Sequence, residues 1–69
     1  MQLTEIRIKN LEKILEEKNL SFDENDKLYY IQEIDSIMCD NWIEILVLRD
    51  TGSIIETFPI SEIDIEFVQ

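Results

Sequence analysis

A chain of 69 residues with a net charge of −10, one cysteine, one glycine and no histidine excludes several classes at the outset. Six basic residues against sixteen acidic ones disfavour direct binding to nucleic acid, which depends on neutralising phosphates with Lys and Arg. The missing histidine removes the usual general base near neutral pH and the usual metal ligand, and a lone glycine cannot build a phosphate-cradling loop.

The apolar fraction of 45% argues for a folded chain rather than an acidic disordered tail. A domain this short buries only about 60% of the surface its unfolded chain exposes, and such domains commonly lean on a disulfide, a metal or a second copy of themselves. Cys39 has no cysteine partner and no metal-ligand set is evident, so a homodimer is the route left open. Gly52 and Pro59 are the only residues of their types, which leaves no flexible linker and points to one domain over residues 1–69. The opening residues lack the basic region and apolar run of a signal peptide, and no apolar stretch approaches membrane-spanning length. A cytoplasmic location, with no membrane contact, is the expectation.

Taken along the chain, Ile8, Leu11 and Leu15 fall at i, i+3 and i+7 with Ile14 beside them, the apolar stripe of a surface helix. The pattern predicts one helix over about residues 4–18. Asn10 offers a competing N-cap, which would leave Thr4, Ile6 and Ile8 as alternating positions of a short strand. Residues 21–27 read as an acidic loop. Four strands are then expected at about 28–35, 42–49, 53–58 and 63–68. The first is aromatic and β-branched; the second is apolar at nearly every position; Asp50-Thr51-Gly52 turns it into the third, which Pro59 ends. In the last, Ile63, Ile65 and Phe67 alternate with Asp64 and Glu66. The fold class is α+β: one N-terminal helix packed on a small curved antiparallel sheet of about four strands, either an open meander or closed into a small SH3-like barrel.

Chemistry finds little to work with. Cys39 is flanked by Met38 and Asp40, and a neighbouring carboxylate raises a thiol pKa rather than activating it. With sixteen acids in so short a chain, close carboxylate pairs arise by chance. Asp23-Glu24-Asn25-Asp26 opens like a calcium loop, but Lys27, Leu28 and Ile34 stand where such a loop needs a ligand, a glycine and a glutamate. No enzyme, no cofactor and no metal is expected.

Two binding roles remain. Residues 28–69 hold nine acids and only Arg49 as a base. Carboxylates two apart on a strand stand roughly 6.5–7 Å from each other, close to the spacing of phosphates along one DNA strand. Asp64 and Glu66 form such a pair, Asp35, Glu44, Asp50, Glu56 and Glu62 widen the acidic field, and Tyr29 and Trp42 supply aromatic anchors. This pattern suits an inhibitor or decoy that occupies the basic surface of a nucleic-acid-binding protein. By association its size and acidity also suit a phage or mobile-element product. Each feature has a plainer explanation: carboxylates form the solvated side of a sheet, Trp42 is a core-edge residue, and parity sends Tyr30 inward with Leu28 and Ile34 while Tyr29 points out. The alternative role is a non-catalytic adaptor or accessory subunit. Trp42, Leu46 and Leu48 oppose Ile43, Ile45 and Val47, and Ile54, Ile55 and Phe58 also occupy both faces of a strand, so something must cover the second apolar face. In that case Phe58→Ala is the substitution expected to weaken docking.

Overall fold

A computed structural model describes residues 3–20, 22–35 and 41–68. It shows a single short helix against an open, five-stranded antiparallel sheet. The elements run β1 (Thr4–Ile8), α1 (Leu11–Glu17), β2 (Lys27–Ile34), β3 (Trp42–Arg49), β4 (Gly52–Pro59), a single 3-10 turn (Ile60–Glu62) and β5 (Ile65–Phe67). The spatial order is β4-β3-β2-β1-β5, with β4 and β5 at opposite ends. The sheet therefore does not close into a barrel.

The largest departure from the sequence expectation is at the N-terminus. Residues 4–8 form a strand, not the first turns of a helix, and the helix is confined to Leu11–Glu17. As a strand, β1 pairs on both sides, Ile6 lying opposite both Leu28 of β2 and Phe67 of β5. The alternation also buries Ile6 and Ile8 together, whereas a helix would have sent them in different directions. Two rows of backbone hydrogen bonds and two buried isoleucines outweigh the helical spacing. The remaining two-turn helix is too short to persist alone, and Ile14, buried in the core, holds it to the sheet.

Asn10 stands at the helix N-cap position, yet its side chain makes no capping bond. Instead its Nδ2 donates to the carbonyl of Glu62 at 3.0 Å, and its Oδ1 accepts from the backbone N–H of Asp64 at 2.9 Å. Next to it, the Lys9 N–H donates to the Asp64 carbonyl at 2.7 Å. The amide thus continues the β1–β5 ladder for one more step, using a side chain in place of backbone. The last strand itself is only Ile65–Phe67, shorter than the 63–68 expected, with Ile63 and Asp64 outside it.

All the buried strand residues lie on one face of the sheet. Ile6, Ile8, Leu28, Ile43, Ile45, Val47 and Phe58 join Ile14 and Phe22 in the core. The Phe22 ring meets Phe58 edge-on, with centroids 6.2 Å apart. Phe58 therefore belongs to the core, and its replacement tests stability rather than docking. Between Tyr30 and Gln32 the β2–β3 register shifts by one residue. This bulge inverts the parity of everything after it: Ile34 lies opposite Trp42, on the face away from the core, and not with Leu28 and Tyr30 as strict alternation implied.

The β3–β4 hairpin has the turn expected at Asp50-Thr51, with Gly52 at φ +144°, a conformation that glycine adopts without a Cβ penalty. Arg49 ties this hairpin to the acidic loop, its Nη2 lying 3.0 Å from Asp26 Oδ2. The loop is otherwise self-satisfied: Asn25 N–H donates to Asp23 Oδ1 at 2.8 Å, and Asp23 N–H to Asp26 Oδ2 at 3.0 Å. Hydrogen bonding from Arg49 and from the Asp23 backbone lowers the Asp26 pKa below its ordinary value of 3.8. A depressed carboxyl pKa means that the unfolded chain takes up the proton first on acidification. The contribution of this pair is full above the ordinary carboxylate range and disappears as pH falls through the Asp26 value in the folded chain. Urea midpoints measured from pH 7 to pH 2 should fall less steeply for Asp26→Asn than for the native chain. Equal slopes would show that the pair does not couple loop to hairpin.

Candidate functional site: the open sheet face

Antiparallel pairing places directly opposed residues on the same face, so the register defines the surface opposite the core. Three rows cross it. Tyr29, Leu46 and Ile55 form one, Ile34, Trp42 and Pro59 the second, and Lys27, Leu48 and Ser53 the third. A polar row of Gln32, Glu44 and Thr57 separates the first two. No residue of these rows is buried. Ile55 is 59% exposed, Leu48 46% and Ile34 38%, while Tyr29, Leu46 and Trp42 are half-buried. Tyr29, Leu46, Leu48 and Ile55 are neighbours across β2, β3 and β4, with Ile34 and Trp42 a second apolar pair beyond the polar row. Exposed apolar surface grouped in this way marks an interaction site more often than scattered single residues do.

The charges on this face nearly cancel. Glu5 and Arg7 of β1, Lys27, Glu44 and Glu66 project from it by register, two bases against three acids. Arg7 Nη1 stands 3.2 Å from Glu66 Oε1, and Gln32 Nε2 donates to Glu44 Oε1 at 2.8 Å. The strong net negative charge of the chain is therefore carried mainly elsewhere.

The residues singled out from sequence divide accordingly. Tyr29, Trp42 and Glu44 come together on the open face. Glu66 shares that face but stands in β5, at the far end of the sheet. Glu56 lies opposite Ile45 and so on the core side, at the β4 edge. Glu62 is in the 3-10 turn, where its Oε2 takes the Lys18 ammonium at 2.9 Å. Asp64 lies just before β5, its backbone N–H donating to Asn10 Oδ1 and its carbonyl accepting from the Lys9 N–H. Of the other acids, Asp35 and Asp50 are exposed at strand ends. Cys39 and Asp40 lie outside the described residues.

Leu46, Leu48 and Ile55, which the sequence offers only as part of an apolar surface, share the face with Ile34, for which the sequence suggests no binding role. The bulge hides Ile34 from any parity argument. Ile55 was visible as one of two adjacent isoleucines, but only register tells which of them is outward.

A second concavity, a cleft of about 490 Å³, opens between the end of β1 and the acidic loop, with Arg7, Lys9, Lys27, Glu12, Glu24 and Asp26 among its lining. Bases and acids are mixed there, and none of the described side chains leaves a buried polar atom unpaired. Ile6, Ile8, Leu11, Leu28 and Val68 also line it, but no side chain in it points to a particular ligand: the lowered pKa of Asp26 comes from Arg49 and the Asp23 backbone. Among the described residues no group of three or more Cys, Asp or Glu is placed to hold a metal ion, and no helix is long and apolar enough to cross a membrane.

The chain matches no protein-family model, no curated protein and no solved structure.

Proposed function

We propose that this chain is a non-catalytic protein-binding module that docks through the open face of its sheet. One observation carries the reading: the apolar group of Tyr29, Leu46, Leu48 and Ile55, with Ile34 and Trp42 beyond the polar row, on the side away from the core. Aromatic and aliphatic anchors in a nearly neutral patch supply binding energy by burial, while the surrounding carboxylates act on encounter rate and on which partners are rejected. The partner is thus a protein that presents an apolar surface, and the role is that of an adaptor or accessory subunit.

The acidic-decoy reading rests on the net charge of −10 and on Tyr29, Trp42 and Glu44 sharing a face. It gains less from the remaining acids, which are divided between both sides of the sheet and two ion pairs, Glu62–Lys18 and Glu66–Arg7. The two readings separate in a capture experiment. Immobilised protein should retain its partner from nuclease-treated lysate through about 0.5 M salt, where surface charge attraction is largely screened. Added duplex DNA should not displace it. Leu46→Asp and Leu48→Asp, checked by circular dichroism for an unchanged fold, should abolish retention. A partner released by modest salt and by duplex DNA, and indifferent to both substitutions, would overturn face docking in favour of charge mimicry.

A further inference from the structure

We infer that the edge of β4 away from β3, unpaired among the described residues, pairs with β4 of a second copy, joining two sheets into one continuous antiparallel sheet about a two-fold axis at Ile55. This inference goes beyond face docking and does not depend on it.

The bonds between β3 and β4 set which way the β4 backbone points. The Ile60 N–H donates to the Asn41 carbonyl, and the two-residue turn closes on the Arg49/Gly52 pair. In an antiparallel ladder the bonded pairs recur every second residue, so the even-numbered residues of β4 direct their backbone groups to β3. The odd-numbered ones, Ser53, Ile55, Thr57 and Pro59, direct theirs outward. Pro59, which has no N–H, occupies one of these outward positions, as proline does on edge strands. β4 is an end strand of the sheet. It is eight residues long and without lysine, arginine or a bulge, and its most exposed large apolar residue, Ile55 at 59%, is central. Edges are usually blunted by lysine, bulges, proline or an inward-pointing charge; β4 has Pro59 at its end and Glu56 on its core side, and neither removes the outward backbone groups of Ser53, Ile55 and Thr57.

The same facts select a partner and a register. Only odd–odd pairings let outward groups bond to each other. A two-fold axis at Glu56 would oppose Glu56 to its own copy in a like-charge pair, which is destabilising. An axis at Ile54 would set Thr57 against Thr51, in the turn rather than the strand. An axis at Ile55 sets Ser53 against Thr57, Ile55 against Ile55 and Thr57 against Ser53, using all three outward donors on each strand for about six backbone hydrogen bonds. Glu56 then faces Ile54 of the other copy. The contact is isologous, as a two-fold interface must be. It also runs the Tyr29–Leu46–Ile55 row of one copy into that of the other as a single apolar strip.

Two chains of charge −10 repel at low ionic strength, so salt should strengthen this dimer, the opposite of an association driven by charge attraction. Sedimentation equilibrium of the native chain up to about 1 mM should show conversion from 8.3 kDa to twice that mass, more completely at 0.5 M than at 0.05 M salt. Ile55→Lys, which sets two like charges on the axis, should remain monomeric. Should that variant fail to fold, crosslinking decides. Ile55→Cys in a Cys39→Ser background should oxidise to a covalent dimer at least tenfold faster than Glu12→Cys, a helix-surface reference in the same background. A native chain monomeric throughout, an Ile55→Lys variant that still dimerises, or equal crosslinking at 55 and 12 would each overturn the inference.

Discussion

Phe58→Ala is expected to lower the unfolding free energy by about 3–5 kcal/mol, the usual loss when a buried phenylalanine is truncated. Phe58 is 2% exposed. It faces Ile43 across the β3–β4 ladder, meets the edge of Phe22, and lies 5.8 Å from the Lys18 ammonium, measured to the ring centroid. Removing the ring therefore strips contacts from three segments together: the sheet, the loop that follows α1, and the end of the helix. At about 0.05–0.15 kcal/mol per residue, a chain of 69 residues has roughly 3–10 kcal/mol to lose. The variant should lose about a third or more of the stability of the native chain, and all of it at the lower end of that range. Phe58→Leu keeps most of the volume and should cost much less, about 1–2 kcal/mol. Urea titration followed by circular dichroism measures both. A loss below about 1 kcal/mol for Phe58→Ala would mean that the β4–loop contact contributes little to the fold.

Asn10→Ala should cost about 1–2 kcal/mol, from two hydrogen bonds at ordinary net values. Its effect should also be local. With the side-chain amide gone, nothing at residue 10 receives the Asp64 N–H or donates to the Glu62 carbonyl, so β5 should separate from β1 before the rest of the sheet opens. Amide exchange at Asp64 should accelerate at least tenfold, while exchange in β3 should change only as far as global stability does. Asn10→Asp separates the two bonds: it can still accept from Asp64 but cannot donate to Glu62, and it turns a carboxylate toward a carbonyl. Protection at Asp64 should therefore survive better in Asp than in Ala, although both variants lose stability. Unchanged exchange at Asp64 in Asn10→Ala would exclude the clamp.

These two residues also show what kind of information each level holds. Phe58 reads from sequence as an apolar residue in a strand that is apolar on both faces, suitable either for core or for contact. Nothing local separates those roles. The decision comes from the β3–β4 register, which places Phe58 beside Ile43 and leaves Ile55 beside Leu46. Asn10 reads as a helix cap because asparagine before an apolar run usually is one. The structure spends its amide on residues 52 and 54 positions later in the chain, a partnership that no local pattern could reveal.

By itself the sequence determined the α+β class, the existence and near-boundaries of β2, β3 and β4, the hairpin turn at Asp50-Thr51 with glycine after it, and the two-sided apolarity of β3. These follow from short-range causes: β-branched and aromatic content, turn chemistry, and alternation along a single strand. Tertiary structure alone decided that residues 4–8 are a strand, because two neighbouring ladders compete successfully with extending the helix back over those residues only once β2 and β5 are in place. It decided that the sheet stays open, that the bulge at Ile31 carries Ile34 to the outer face, and that among the strand acids Glu33 and Glu56 fall on the core side while Glu44 and Glu66 fall on the other. In a sheet of period two, a single inserted residue exchanges inside for outside, and where one strand lies beside another is set by pairing between segments that the chain itself keeps far apart.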